Sequence, residues 1–186
     1  MSRAETFIEA FKSRKGEAAY VATRDDTAAA LTKAAKERGA TRIAVAGLPA
    51  SVKLTVVGAF KGAEVVDVDA LEGAGAKQAV ERAQVGVTWA AYAMAKEGTL
   101  MEATWDDAVK LASCLPLTNV VLVSGENILP DFAAGMKKAG SLVSLAQKKP
   151  TISFISGPSR TADIESRILY GVHGPHSVLA LVLGWA

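Results

Sequence analysis

Short, unbroken apolar runs alternate with segments of helical period along this chain, and that alternation limits its possible folds more than any other feature. "AAYVAT", "TRIAVAGL", "AEVVDVD", "NVVLVSG", "TISFIS" and "SVLALVLG" read as strands. Their apolar character is continuous rather than alternating, which requires burial on both faces. Helical patterns fall between them: "DDTAAALTKAAKERGA", with Asp25 or Asp26 capping its start and Gly39 past its end; "AKQAVERAQ"; "WDDAVKLASCL", with an acidic first turn; "ILPDFAAGMKKAG", with Pro130 at its start; and a short "ADIESRIL". "VGVTWAAYAMAKEGTLMEAT" reads as a short helix leading into a strand, while "SVKLTVVGAF" is ambiguous because Gly58 and the valines spoil the helical pattern. The spacing predicts a three-layer α/β fold, with a parallel-rich sheet flanked by helices and residues 1–186 forming a single domain. In such sheets ligands bind beyond the carboxyl ends of the strands, so candidate sites are expected there.

Composition excludes several function classes. Half the residues are hydrophobic and the net charge is only +2, which argues against a nucleic-acid-binding surface. Trp89, Trp105 and Trp185 are scattered and do not interleave with basic residues as a base-stacking platform would. The one cysteine, Cys114, cannot form an intrachain disulfide, an iron–sulfur cluster or a Cys-rich zinc site. The two histidines have no obvious third ligand, so no metal is expected. The first residues lack the apolar core of a signal peptide, and no run approaches the ~20 apolar residues that span a bilayer. A soluble, cytoplasmic protein without a membrane span is the expectation.

Three stretches carry candidate chemistry. In "TISFISGPSRTADIE" an apolar run stops at Gly157-Pro158, and small hydroxyls, an arginine and carboxylates follow. Ser159 or Thr161 can cap the next helix, whose free N–H groups suit an anion. Arg160 can clamp a carboxylate or phosphate. The competing reading is structural: Asp163 and Glu165 satisfy the helix dipole and Arg160 pairs with Asp163. "YGVHGPHS" holds both histidines: His173 sits between glycines and suits binding or proton transfer, and His176 is the weaker candidate. "AKEGT" places Glu97 before Gly98, where a buried carboxylate could serve as nucleophile or base. "GAGAKQ" imitates half a dinucleotide loop but lacks the third glycine. Neither a Gly-rich phosphate loop ending in Lys-Ser/Thr nor a G-x-S-x-G elbow is present.

"FISGPSRTADIE" followed by "GVHGP" resembles the LUD-domain family, in the group of lactate utilisation protein C. "GVTWAAYAMAKEGT" and "LASCLPLTNVVLVSGENILPD" resemble it too, so the likeness covers roughly the C-terminal hundred residues. The resemblance implies a fold like the NagB/RpiA/CoA-transferase group. It also implies a context of L-lactate oxidation to pyruvate, with iron–sulfur proteins as partners and no cluster on this chain. The family's loop matches Gly157, Pro158, Ser159, Arg160, Thr161, Asp163 and Glu165; its second motif matches Gly171, His173, Gly174 and Pro175. Where family members show Ala-Glu-Thr-Gly-Thr, this chain has Ala95-Lys96-Glu97-Gly98-Thr99. Lysine stands at the expected glutamate, and the carboxylate moves one place along, to the opposite face if the segment is a strand. That counts against a CoA-transferase-like role, while Lys96 adds positive charge suited to an anion.

The leading reading is a cluster-free subunit or accessory of lactate oxidation that binds a small anionic metabolite or cofactor. Gly157, Ser159, Arg160, Thr161, Asp163, Glu165 and Gly174 would form the binding site, with His173 and Glu97 as the catalytic candidates. The cofactor's identity is open, as is homo-oligomer formation. The alternatives are a transferase acting on a CoA ester or sugar phosphate, and a non-enzymatic ligand-binding or regulatory module.

Overall fold

The computed structural model describes residues 1–71, 73–164, 167–170 and 174–186, with side chains described outside 160–170. Its centre is a six-stranded sheet in the order β1-β12-β7-β4-β2-β3. These strands are β1 (Glu17–Val21), β2 (Arg42–Val45), β3 (Glu64–Asp67), β4 (Val85–Trp89), β7 (Thr118–Ser124) and β12 (Ser177–Leu183). Every pairing in it is parallel. The continuous apolar runs follow from burial on both faces. On one face Ile43, Val45, Val87, Val120, Leu122 and Leu181 pack beneath α2 (Arg24–Glu37) and α3 (Ala50–Ala59). On the other, Val121, Val123, Ala180 and Val182 meet Phe7 and Phe11 of α1 (Arg3–Ser13), while Ala44 and Ala46 meet α4 (Gly73–Glu81) and α5 (Ala108–Cys114). The expected three-layer architecture with a parallel sheet between helices is therefore present.

A second sheet, in the order β8-β5-β6-β9, lies with α1 on that second face. Its strands are β5 (Tyr92–Met94), β6 (Thr99–Thr104), β8 (Ile128–Leu129) and β9 (Thr151–Ile155). Here β6 runs antiparallel to both β5 and β9. Helix α6 (Phe132–Leu145) packs outside it, with Ala139 against Met94 and Met101.

Several expectations are corrected. Residues 85–104 form three strands rather than a helix and a strand. Gly98, at φ +56°, turns the chain from β5 into β6, and Thr88, Trp89, Tyr92 and Thr99 favour strand. The described residues of "ADIESRIL" are strand rather than helix: β10 (Arg160–Ile164) and β11 (Arg167–Tyr170) pair antiparallel with an irregularity between Thr161 and Ile164. Threonine, isoleucine and tyrosine suit that pairing better than a short helix. The ambiguous "SVKLTVVGAF" is helix α3. The acidic pair of "WDDAVKLASCL" precedes α5 instead of filling its first turn, and Asp106 Oδ1 accepts from Ala108 N–H at 3.0 Å.

The cap of α2 is Thr23, not Asp25 or Asp26. Asp26 N–H donates to Thr23 Oγ1 at 3.1 Å, and Thr23 N–H donates back to Asp26 Oδ2 at 3.1 Å. This reciprocal box satisfies two helix-end donors at once. Thr23→Ala is expected to lower stability by about 1 kcal/mol, read as a shifted urea midpoint with unchanged slope.

Candidate functional site

The Gly157 loop leaves β9, and β9 belongs to the smaller, mixed sheet, where it pairs antiparallel with β6. Its partner segment, Gly174 to His176, leads into the start of β12. The two segments meet where Ser159 N–H donates to Pro175 O at 3.2 Å, and His176 N–H donates to Leu117 O at 2.8 Å just before β7. The site thus lies at the amino ends of β7 and β12. The expectation that every candidate sits at the carboxyl ends of a parallel sheet is corrected: the loop leaves a strand of the second sheet and meets the segments that precede β7 and β12.

Close approach explains the glycines. Gly157 holds φ +134°, and a Cβ there would stand 2.8 Å from Arg14 O at the end of α1. A Cβ on Gly174 would reach 3.3 Å from Ser159 Cβ. Gly157, Ser159 and Gly174 wall a cavity of about 230 Å³. Ser153 and Phe154 of β9 line it as well, along with Ser113 and Cys114 at the end of α5.

Asn119, the second residue of β7, reaches the same cavity. It is fully buried, and its Nδ2 has no hydrogen-bond partner among the described residues. Its Oδ1 lies 3.3 Å from Thr88 Oγ1, and that hydroxyl lies 2.6 Å from Glu102 Oε1. Glu102 sits on β6, opposite Ser153 of β9, and is 1% exposed. Burial pushes its carboxyl up to about 7, against the pull of hydrogen bonds with Thr88 and Ser113. Sequence reasoning did not single out this Glu102–Thr88–Asn119 chain. Its signal was a carboxylate inside "TLMEAT" and an amide opening the apolar run "NVVLV".

Other candidates lie elsewhere or outside the description. Glu165 and His173, with Gly171, fall outside the described residues. Arg160, Thr161 and Asp163 are placed on β10 by their backbone. No helix follows Ser159, so the idea of anion-binding N–H groups at a helix start there is corrected. His176 is exposed. Glu97 is half-buried in the turn between β5 and β6, away from the cavity lining. Its Oε2 is buried without a partner among the described residues. Lys96 and Glu97 occupy a turn, not a strand, so strand alternation does not set their faces: Gly98 N–H closes the turn on Ala95 O at 3.3 Å. Lys96 is exposed. Thr99 and Ser156 hydroxyls, 2.7 Å apart, tie this turn to the Gly157 loop. Among the described residues no helix is long and apolar enough to cross a membrane, and no cluster of three or more metal-ligating side chains occurs.

Residues 4–183 match the LUD domain family. The chain belongs to the LUD domain family. LUD-domain relatives include lactate utilization protein C of Anoxybacillus flavithermus, 35% identical over 62% of this chain and 50% of that protein. Lactate utilization protein C of Bacillus subtilis is 31% identical over 62% of this chain and 48% of that protein. The uncharacterized protein YkgG of Escherichia coli is 32% identical over 62% and 50%. This LUD-domain chain spans about half the length of the curated relatives it matches. A solved DUF162 family protein from Deinococcus radiodurans shares the fold, with a TM-score of 0.66 at 20% identity over 98% of this chain and 99% of that one.

Proposed function

We propose that this LUD-domain chain serves lactate utilisation as a cluster-free subunit or accessory that holds a small anionic metabolite or cofactor. One observation carries the reading: Gly157, Ser159 and Gly174, apart in sequence, wall one cavity that is also lined by the buried Asn119, whose Nδ2 has no hydrogen-bond partner among the described residues. The names of the relatives from Anoxybacillus and Bacillus supply the lactate context. In this reading Arg160, next in the chain after Ser159, supplies the counter-charge, and His173 orients the ligand or moves a proton. Iron–sulfur partner proteins carry the electrons.

Thermal unfolding with L-lactate, pyruvate, phosphate, nicotinamide and flavin cofactors, nucleotides and CoA tests it. A ligand that binds only the folded state adds about 2.7 kcal/mol at a hundredfold excess over its dissociation constant. Arg160→Ala should abolish the shift. A shift unchanged in that variant removes Arg160 from the site, and no shift with any compound rejects the reading.

Glu97 favours a second reading, a transferase acting on a CoA ester, because its Oε2 is buried without a partner among the described residues. A desolvated, unpaired carboxylate is a more reactive nucleophile than a hydrated one. Incubation with an acyl-CoA should then leave a covalent adduct at Glu97, visible by mass spectrometry and absent from Glu97→Gln.

A further inference from the structure

Beneath the cavity lies a chain of three buried polar side chains that the proposed ligand site does not itself require. Glu102, Thr88 and Asn119 are 1%, 0% and 0% exposed. They come from β6, β4 and β7, two of which belong to the large sheet and one to the small sheet. Burying three polar groups between two sheets is costly unless each is satisfied. Proton arithmetic restricts how they can be. Thr88 has one hydroxyl proton and two acceptors within reach, Glu102 Oε1 at 2.6 Å and Asn119 Oδ1 at 3.3 Å. An ionised Glu102 takes that proton, which leaves Asn119 Oδ1 without its donor. A protonated Glu102 donates to Thr88 Oγ1 and frees the Thr88 proton for Asn119 Oδ1. Only the second arrangement runs in one direction through all three groups, and it leaves both Nδ2 protons of Asn119, which lines the cavity, without an acceptor among the described residues.

We propose that Glu102, donating through Thr88, is a positioning residue that fixes the Asn119 amide, so that the cavity takes a small ligand by a carboxylate or keto oxygen accepting from Nδ2. The inference rests on the cavity being the ligand site and names the chemical class it takes. Neutral Glu102 accords with burial raising its carboxyl to about 7. The groups bearing on Glu102 are Thr88 from β4, Ser113 from α5 and Ser153, opposite it on β9. None of these titrates in the neutral range.

Two measurements test the proposal. Nuclear magnetic resonance of the full chain follows the Glu102 carboxyl carbon and the Asn119 side-chain amide from pH 5 to pH 8.5, without ligand. Calorimetry measures pyruvate binding at pH 6 and pH 8.5. The Asn119 amide signals should shift with the Glu102 titration, and stay fixed in Glu102→Gln, whose amide N–H can replace the acid proton. Wild-type affinity for pyruvate should fall roughly tenfold between the two pH values, the scale of one hydrogen bond. Glu102→Gln should keep the pH 6 affinity at both, and Asn119→Asp should bind weakly at both. An unchanged pH profile in Glu102→Gln, or Asn119 signals indifferent to Glu102, overturns the positioning role and leaves the proposed function standing. Failure of pyruvate to bind wild type at pH 6, with Asn119 following Glu102, overturns the ligand class and upholds the positioning chain.

Discussion

Alanine at position 86 is expected to cost about 3 kcal/mol or more, a large share of the stability of a domain of this size. Gly86 lies within β4, where α5 presses directly onto the sheet. A Cβ there would stand 1.8 Å from Ala112 O and 3.1 Å from Pro116 Cγ. The first obstacle is backbone, so no rotamer change relieves it, and α5 must lift away. Ser113, which bears on Glu102, would move with α5. The effect therefore reaches the cavity as well as the core. Gly140 is the matched control, since it lies in α6 with nothing within 4 Å of an added Cβ. Gly140→Ala should raise stability by roughly 0.5–1 kcal/mol, because alanine loses less backbone entropy in a helix. Urea midpoints of the two variants against wild type give the comparison. A Gly86→Ala protein as stable as wild type would mean that α5 is not held against β4.

Glu102→Gln should change how stability depends on pH. The ordinary carboxyl value is 4.5, and that of Glu102 in the folded protein is raised to about 7. Below 4.5 both folded and unfolded chains carry the proton, and the stabilising contribution is fully present. Between 4.5 and 7 the unfolded chain has released its proton while the folded chain retains it, so stability falls as pH rises. Above 7 both are ionised and the contribution is gone. The interval corresponds to roughly 3 kcal/mol. Glutamine cannot ionise, so the variant should match wild type at pH 4.5 and exceed it by up to about 3 kcal/mol at pH 8. Taking the difference between the two proteins removes the titrations they share. A constant difference across that range would show that folding does not move the Glu102 carboxyl from its ordinary value.

The large sheet was legible because β2, β7 and β12 are apolar at successive positions, a pattern that only two-sided burial explains. The glycines of the two loops were legible as points of turning and close approach. Orientation was not. The run "TISFIS" has the same composition as the parallel strands, yet it pairs antiparallel to β6 in another sheet, and strand partners are set by contacts far apart in sequence. Glu102 was missed for a related reason. Within "TLMEAT" it looks like the solvent-facing member of a strand, and it becomes buried only because the small sheet closes over β4 and β7. The helix expected after Ser159 failed because acidic spacing suggested a first turn while the β-branched residues around it favoured a hairpin. Lys96 and Glu97 were misread because strand alternation was assumed where Gly98 makes a turn.

The position of β12 between β1 and β7 bears on how the chain is made. β1 pairs with β12 across some of the greatest sequence separations in the fold, from Glu17 to Leu179. During synthesis β1 and β7 leave the ribosome long before Ser177–Leu183, so each presents an unpaired edge to other nascent chains. Sheet closure must wait for the last strand, and loop closure over that distance is slow. Ribosome-stalled chains ending before residue 177 should therefore be protease-sensitive and occupied by chaperones, and should acquire resistance abruptly once β12 has emerged.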